Sequence, residues 1–389
     1  MNGEDEAAWH AWRDEWSLAD GLTYLNNGSF GPTPRAVSAA RRRWMDVVES
    51  DPHDFLVRQL GPRLGEVRAR LADLAGTAAD NLALVENATV AMNIAAASVD
   101  LRPGDEVLAN DHEYGAVLRL WQRVCQRAGA KLVVQPLTVP IRDGEAVVDE
   151  LFTAATDRTR ILVVSHITSP TAVVFPLEAI CRRARELGLV TCVDGPHAIA
   201  MLDVQIDALG CDYYTASCHK WLCAPLGTGF LYVHPRRQHA VAPVLVSWGR
   251  TLEGDTASWR DEFNWIGSRD PSPFLAVPAA IDFLGKVGFE SFRRRTHGLA
   301  AYAREQLASC LDAAALVPDD PQWYGSMISM RLPDGESEPL QRALWERYRI
   351  EIPIVSWRGM RLVRPSCHLY TQRDAIDLLV NALKELLSG

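Results

Sequence analysis

Between Leu82 and Asp194, apolar runs of strand length alternate with runs of helical period. Leu82-Ala83-Leu84-Val85, residues 106–110, residues 131–134, Ile161-Leu162-Val163-Val164 and Val190-Thr191-Cys192-Val193 read as strands. Residues 115–128 read as a helix, and Leu177, Ile180, Cys181, Ala184 and Leu187 recur at the spacing of one buried helix face. This strand–helix–strand rhythm implies an α/β fold, a mainly parallel sheet with helices on both faces. Ligands of such sheets sit at the carboxyl ends of the strands. Three places fall there: the turn Asn87-Ala88-Thr89, the run Ser165–Ser169, and Asp194, where the last of these strands stops abruptly.

Ahead of this block, residues 1–23 form an arm with Trp9, Trp12 and Trp16, expected to be one short amphipathic helix. Tyr24–Pro32 is dense in turn residues, and its glycines allow close backbone approach. Asn26 within it is a candidate substrate contact. Helices are expected at about 34–48 and 60–74. Beyond the block come a strand at Phe230–Val233, a loop region from Trp248 to Asp270 and a long helix over about 273–287. Residues 288–389 mix helices (about 291–312, 338–348 and 372–387) with short strands, a smaller α+β unit. The expected division is an arm (1–23), a large domain (24–287) and a small C-terminal domain (288–389).

Forty basic against 49 acidic residues give a net charge of −9, without an electrostatic footprint for nucleic acid. The triplets Arg41-Arg42-Arg43 and Arg293-Arg294-Arg295 read as solvated helix faces. The acidic start Met1–Glu6 does not read as a signal peptide, and no apolar run is long enough to span a bilayer. Eight cysteines show neither CxxC pairs nor a disulfide framework, so a reduced, cytoplasmic setting without membrane or nucleic-acid partners is expected. No metal site is expected.

The run Tyr213–Ser217 leads through a small-residue turn to Lys220. A buried lysine so placed is a candidate Schiff-base amine, because desolvation lowers its pKa and frees the lone pair. An isolated lysine is more often simply solvated. The Asn87–Thr89 turn leaves N–H groups free for a phosphate, although plain capping by Asn87 or Thr89 is the commoner use. Asp194 alone would more often be a cap or turn residue. Together they meet the needs of pyridoxal 5′-phosphate (PLP): phosphate anchorage, an amine, and a carboxylate that keeps the pyridine nitrogen protonated so that the ring can act as an electron sink. An NAD site is not expected, since no G-x-G-x-x-G follows a first strand.

Val193-Asp194-Gly195-Pro196-His197-Ala198, Asp212-Tyr213-Tyr214 and Ser217-Cys218-His219-Lys220 resemble the class V aminotransferase family of fold-type I PLP enzymes. Tyr24–Gly31, Ser165–Ser169 and Gly267-Ser268-Arg269-Asp270 are similar to its isopenicillin N epimerase-like branch. The resemblance runs from about Tyr24 to the C-terminus. It implies that Lys220 carries the cofactor and acts as acid/base, that Asp194 pairs with the pyridinium, and that Tyr114 stacks on the ring. His197 would lie by the cofactor oxygen, with Ser169 or Thr168 contacting that oxygen as well. Ala88, Thr89, Ser217 and His219 would hold the phosphate, and Ser268 would reach the phosphate of a neighbouring subunit, which implies a homodimer with shared sites. Arg364 would bind the substrate α-carboxylate, a task suited to its bidentate fork.

Cysteine desulfurases carry a nucleophilic cysteine on a loop ahead of this arginine. Here the run Ile352–Met360 is short and lacks one, and Cys367 lies beyond Arg364 in an expected strand, so persulfide chemistry is not expected. The branch contains epimerases, C–S lyases, and enzymes that process S-cysteinyl intermediates in antibiotic pathways such as lincosamide assembly. The expected activity is β-eliminating C–S lysis of a bulky cysteine-derived amino acid. Epimerisation and decarboxylating deamination or transamination are the alternatives. A non-catalytic binding protein on this fold would usually lack the lysine or the aspartate. Trp248, Trp265, Trp323 and Trp357 offer aromatic surface to a bulky substrate, with core packing the expected role of at least two.

Overall fold

The computed structural model describes residues 3–247, 258–311 and 315–388. Seven strands form the central sheet: β1 (Leu82–Val85), β2 (Glu106–Asn110), β3 (Lys131–Gln135), β4 (Thr159–Ser165), β5 (Val190–Asp194), β6 (Tyr213–Ser217) and β7 (Gly229–Val233). Their order is β1-β7-β6-β5-β4-β2-β3, and every pairing that involves β7 is antiparallel while the others are parallel. Period-2 alternation sends Leu82 and Leu84 of β1 into one core and Ala83 and Val85 into the other, so both faces of the sheet are buried. Helices Ala88–Ala97, Gly115–Ala128 and Leu177–Glu186 cross between strands, as their apolar stripes require.

The long helix expected over 273–287 is instead two, Ser272–Leu275 and Val277–Val287, parted at Ala276. A further helix, Gly144–Phe152, begins where Asp143 accepts the amides of Glu145 and Ala146. Arg295 is not on a solvated face. Its side chain is buried and gripped at 2.6 Å by both carboxylate oxygens of Glu6, with the guanidinium 5.7 Å from the Trp9 ring. A fully buried guanidinium is tolerated only when paired in this way. The N-terminal arm, helix Gly3–His10 followed by a 3₁₀ turn Ala11–Glu15, is thereby fastened to helix Phe289–Leu311.

In the C-terminal region a hairpin, β8 (Ile354–Trp357) and β9 (Met360–Val363), is joined by the two-residue strand Met330–Arg331. Cys367 lies beyond it in a buried loop, not in a strand, with its amide on the Ser326 carbonyl. The segment Thr23–Tyr24 pairs in parallel with Ile350–Glu351, drawing the start of the chain against its end. Among the described residues no single helix is long and apolar enough to cross a membrane.

Candidate active site

A cavity of about 810 Å³ opens at the carboxyl ends of the strands. Asn87–Thr89 after β1, Asp194 at the end of β5, Ser217, His219 and Lys220 after β6, and Arg364 after β9 all line it, with Tyr114, Ser169 and His197. The parallel register sets Ser165, Asp194 and Thr215 side by side, so residues far apart in sequence reach one level of the sheet.

Lys220 is one of four lysines in the chain, and the other three, Lys131, Lys286 and Lys384, are exposed. Its Nζ lies 3.1 Å from His197 Nε2. Burial lowers its pKa, helped by the nearby Arg364 charge and opposed by Asp194. Asp194 is raised by burial, against the pull of the Thr215 hydroxyl, which donates to it at 2.9 Å, and of Lys220. His197 falls well below its usual value, first through burial and then through the adjacent cationic groups, so it is neutral, and its Nδ1 has no partner among the described residues. The lysine turn is held from behind. The Gly31 amide donates to the His219 carbonyl at 2.9 Å, and Asn27, oriented by the Tyr370 hydroxyl, reaches the Lys220 carbonyl. Gly31 is required there, because a Cβ would overlap the Lys220 carbonyl oxygen.

The turn after β1 caps its helix and still leaves one amide without a partner among the described residues. Asn87 caps helix Ala88–Ala97 by accepting the Val90 amide at 3.0 Å, and Ser217 Oγ accepts the Ala88 amide at 3.0 Å. The Thr89 amide keeps no acceptor among the described residues, at the positive end of the helix dipole. His219, in the same cavity, has a buried Nδ1 without a partner there. Arg364 is buried, with Nη1 on the carbonyl and, at 3.2 Å, on the hydroxyl of Ser169. Burial pushes it down to about 10, so it stays cationic at neutral pH.

Three expected contacts stand away from the cavity wall. Thr168 is fully buried and spends its hydroxyl on the Val173 amide (2.8 Å) and on Thr171 (2.7 Å). Asn26 donates to Glu351 at 3.0 Å, while its neighbours Gly28, Ser29 and Phe30 line the cavity. Ser268 is exposed on the outside of the chain. Trp323 is core, Trp265 packs against that core, Trp357 lines the cavity, and Trp248 lies outside the described residues.

Glu113 lines the cavity without having drawn notice in the sequence. It accepts the Ser165 amide (2.9 Å), the Ser165 hydroxyl (2.6 Å) and the Asn110 amide group (2.5 Å), and burial pushes it up to about 8. Its one signal was its place beside Tyr114. Asn27 likewise had only its place in the Tyr24–Pro32 turn.

An unpaired amide at a helix start, orphaned ring nitrogens, a depressed amine and a buried carboxylate at a strand end fit PLP part by part. On a sheet of this order they define a fold-type I PLP enzyme. The chain belongs to the aminotransferase class-V family, whose profile matches residues 24–379, and its cofactor is PLP. It is similar to isopenicillin N epimerases from Amycolatopsis lactamdurans (39% identical, covering 97% of this chain and 98% of that one) and Streptomyces clavuligerus (36%, covering 98% of each). An L-cysteine desulfhydrase from Arabidopsis thaliana is 27% identical over 94% of this chain and 88% of its own. Among solved structures, a cystine C–S lyase in complex with cysteine persulfide has a TM-score of 0.84 at 22% identity, covering 94% of this chain and 98% of that one.

Proposed function

We propose that the protein is a β-eliminating C–S lyase acting on a bulky S-cysteinyl amino acid. The bound cofactor supplies an electron sink at the substrate's Cα. Asp194, whose anionic form the Thr215 hydroxyl and the lysine favour against burial, would hold the ring nitrogen protonated. The Thr89 amide, Ser217 and His219 are available to the phosphate, and Tyr114 to the ring face. Arg364 would grip the α-carboxylate. With that group held by Arg364, Lys220 would meet the α-hydrogen rather than the carboxylate, which disfavours decarboxylation.

The observation that carries the choice of reaction is the 3.1 Å approach of Lys220 Nζ to His197 Nε2. A proton taken from Cα by Lys220 can return from the same side to a departing sulfur, with the neutral His197 imidazole beside the amine to orient it. Epimerisation needs a separate donor on the other face. It remains the second reading because of the 36–39% identity to the two epimerases. In heavy water an S-alkyl cysteine conjugate should give pyruvate and free thiol. An α-deuterated amino acid without cleavage would establish the epimerase instead, and carbon dioxide with an aldehyde the decarboxylating deaminase.

We also propose a homodimer with shared sites, in which the exposed Ser268 serves the neighbouring subunit. A division of each chain into a large domain (24–287) and a small domain (288–389) completes the proposal.

A further inference from the structure

Hairpin β8–β9 stands immediately before Arg364, and it lends Val355, Ser356 and Trp357 to the cavity. Val355 and Trp357 carry no group that takes up or releases a proton near neutral pH, so their contribution is shape and polarity. The hairpin is locked. Arg358 and Gly359 both adopt positive φ (50° and 75°), the tight two-residue turn that suits paired strands. Trp357 Nε1 donates to the Asp111 carbonyl at 2.7 Å, Arg358 Nε lies 3.0 Å from Asp111 Oδ2, and Arg358 Nη1 donates to the Leu137 carbonyl at 2.7 Å. The indole ring also lies 4.5 Å from the His112 ring. Asp111 lines the same cavity, and Arg358 neutralises it. On the same cavity Phe30 and Leu226 are 60% and 58% exposed, apolar surface left open to an occupant.

We propose that Val355 and Trp357 are specificity-determining residues, an apolar wall that selects amino acids whose β-substituent is large and apolar. This rests on the reading of the cavity as an amino-acid site gripped by Arg364. Cross-strand register ties the wall to that grip: Val355 faces Leu362 and Ile354 faces Val363, the residue before Arg364. The substituent of a carboxylate-anchored substrate is therefore measured against a wall on the same hairpin as the anchor. A rigid apolar wall discriminates by size, because each added methylene either finds partner atoms or leaves a gap.

The test uses the holoenzyme and four amino acids without a β-leaving group: L-alanine, L-norleucine, L-phenylalanine and L-homophenylalanine. Dissociation constants are read from the change in cofactor absorbance, and α-deuterium uptake from heavy water is read by mass spectrometry. Homophenylalanine should bind the native enzyme about tenfold or more tighter than alanine. Trp357→Ala should erase most of that ratio by lowering homophenylalanine affinity far more than alanine affinity. Val355→Phe, which guards against a misfolded alanine variant, should weaken the large ligands alone. Equal affinity for alanine and homophenylalanine in the native enzyme, or a ratio that neither variant changes, overturns the proposal. Should the size preference hold while no α-hydrogen exchanges, the wall stands and the proton-removal reading falls.

Discussion

Lys220 owes its chemistry to its surroundings rather than to its own neighbours in sequence. Its amine is pushed down to about 7, first by burial and then by the Arg364 charge, with Asp194 opposing. A lowered pKa leaves the neutral, nucleophilic form dominant above that value. PLP uptake by the apoprotein should therefore accelerate as pH rises through about 7 and then level off, whereas a solvated lysine would still be gaining near pH 10. Stopped-flow absorbance of reconstitution across pH checks this; a rate still climbing at pH 9 would contradict it. Glu113 carries the opposite sign. Its carboxyl is raised by burial from 4.5 to about 8, so the folded chain binds a proton that the unfolded chain has released. Stability associated with that proton is present below pH 4.5 and lost as pH rises through about 8. Glu113→Gln should flatten this part of the apoprotein's stability profile, measured as the difference in denaturation midpoint between variant and native chain at pH 5 and pH 8.

At the scale of elements, the strands were legible because burial on both faces leaves nearly unbroken apolar runs, and β1 and β2 have their expected bounds. Helix Gly144–Phe152 went unassigned, and the Ala276 break within the 272–287 helix was likewise invisible. Both depend on how a segment lies against its neighbours. The turn after β1 was legible because one short run both caps the helix through Asn87 and leaves the Thr89 amide without an acceptor among the described residues. Asn87→Ala should cost about 1 kcal/mol of stability by losing the cap, seen in chemical denaturation. It should also weaken PLP retention during dialysis, since the cap fixes the amides proposed to face the phosphate. In hairpin β8–β9 the sequence showed the lack of a cysteine and the aromatic surface of Trp357. The wall proposed for it rests on Asp111, some 246 residues from Trp357 in sequence, and no local pattern announces a contact of that range.

For the whole molecule, the order of motifs along the chain identified the fold and the cofactor, because an α/β sheet turns sequence order into a fixed spatial order of strand ends. The burial of Arg295 was not foreseeable, because its partner Glu6 lies at the other end of the chain. A shared site in a homodimer makes a prediction at this scale. Mixing Lys220→Ala with Ser268→Ala chains should restore activity above the sum of the two, since one site of each mixed dimer regains both residues; no gain would place Ser268 in its own chain's site. The central claim is that Lys220 is the residue that holds the cofactor. Borohydride reduction of the holoenzyme, followed by peptide mass mapping, tests it most directly. The reduced cofactor should be found on the peptide that carries Lys220 and be lost in Lys220→Ala. A cofactor mass on Lys131, Lys286 or Lys384, or trapping that survives the substitution, would contradict it.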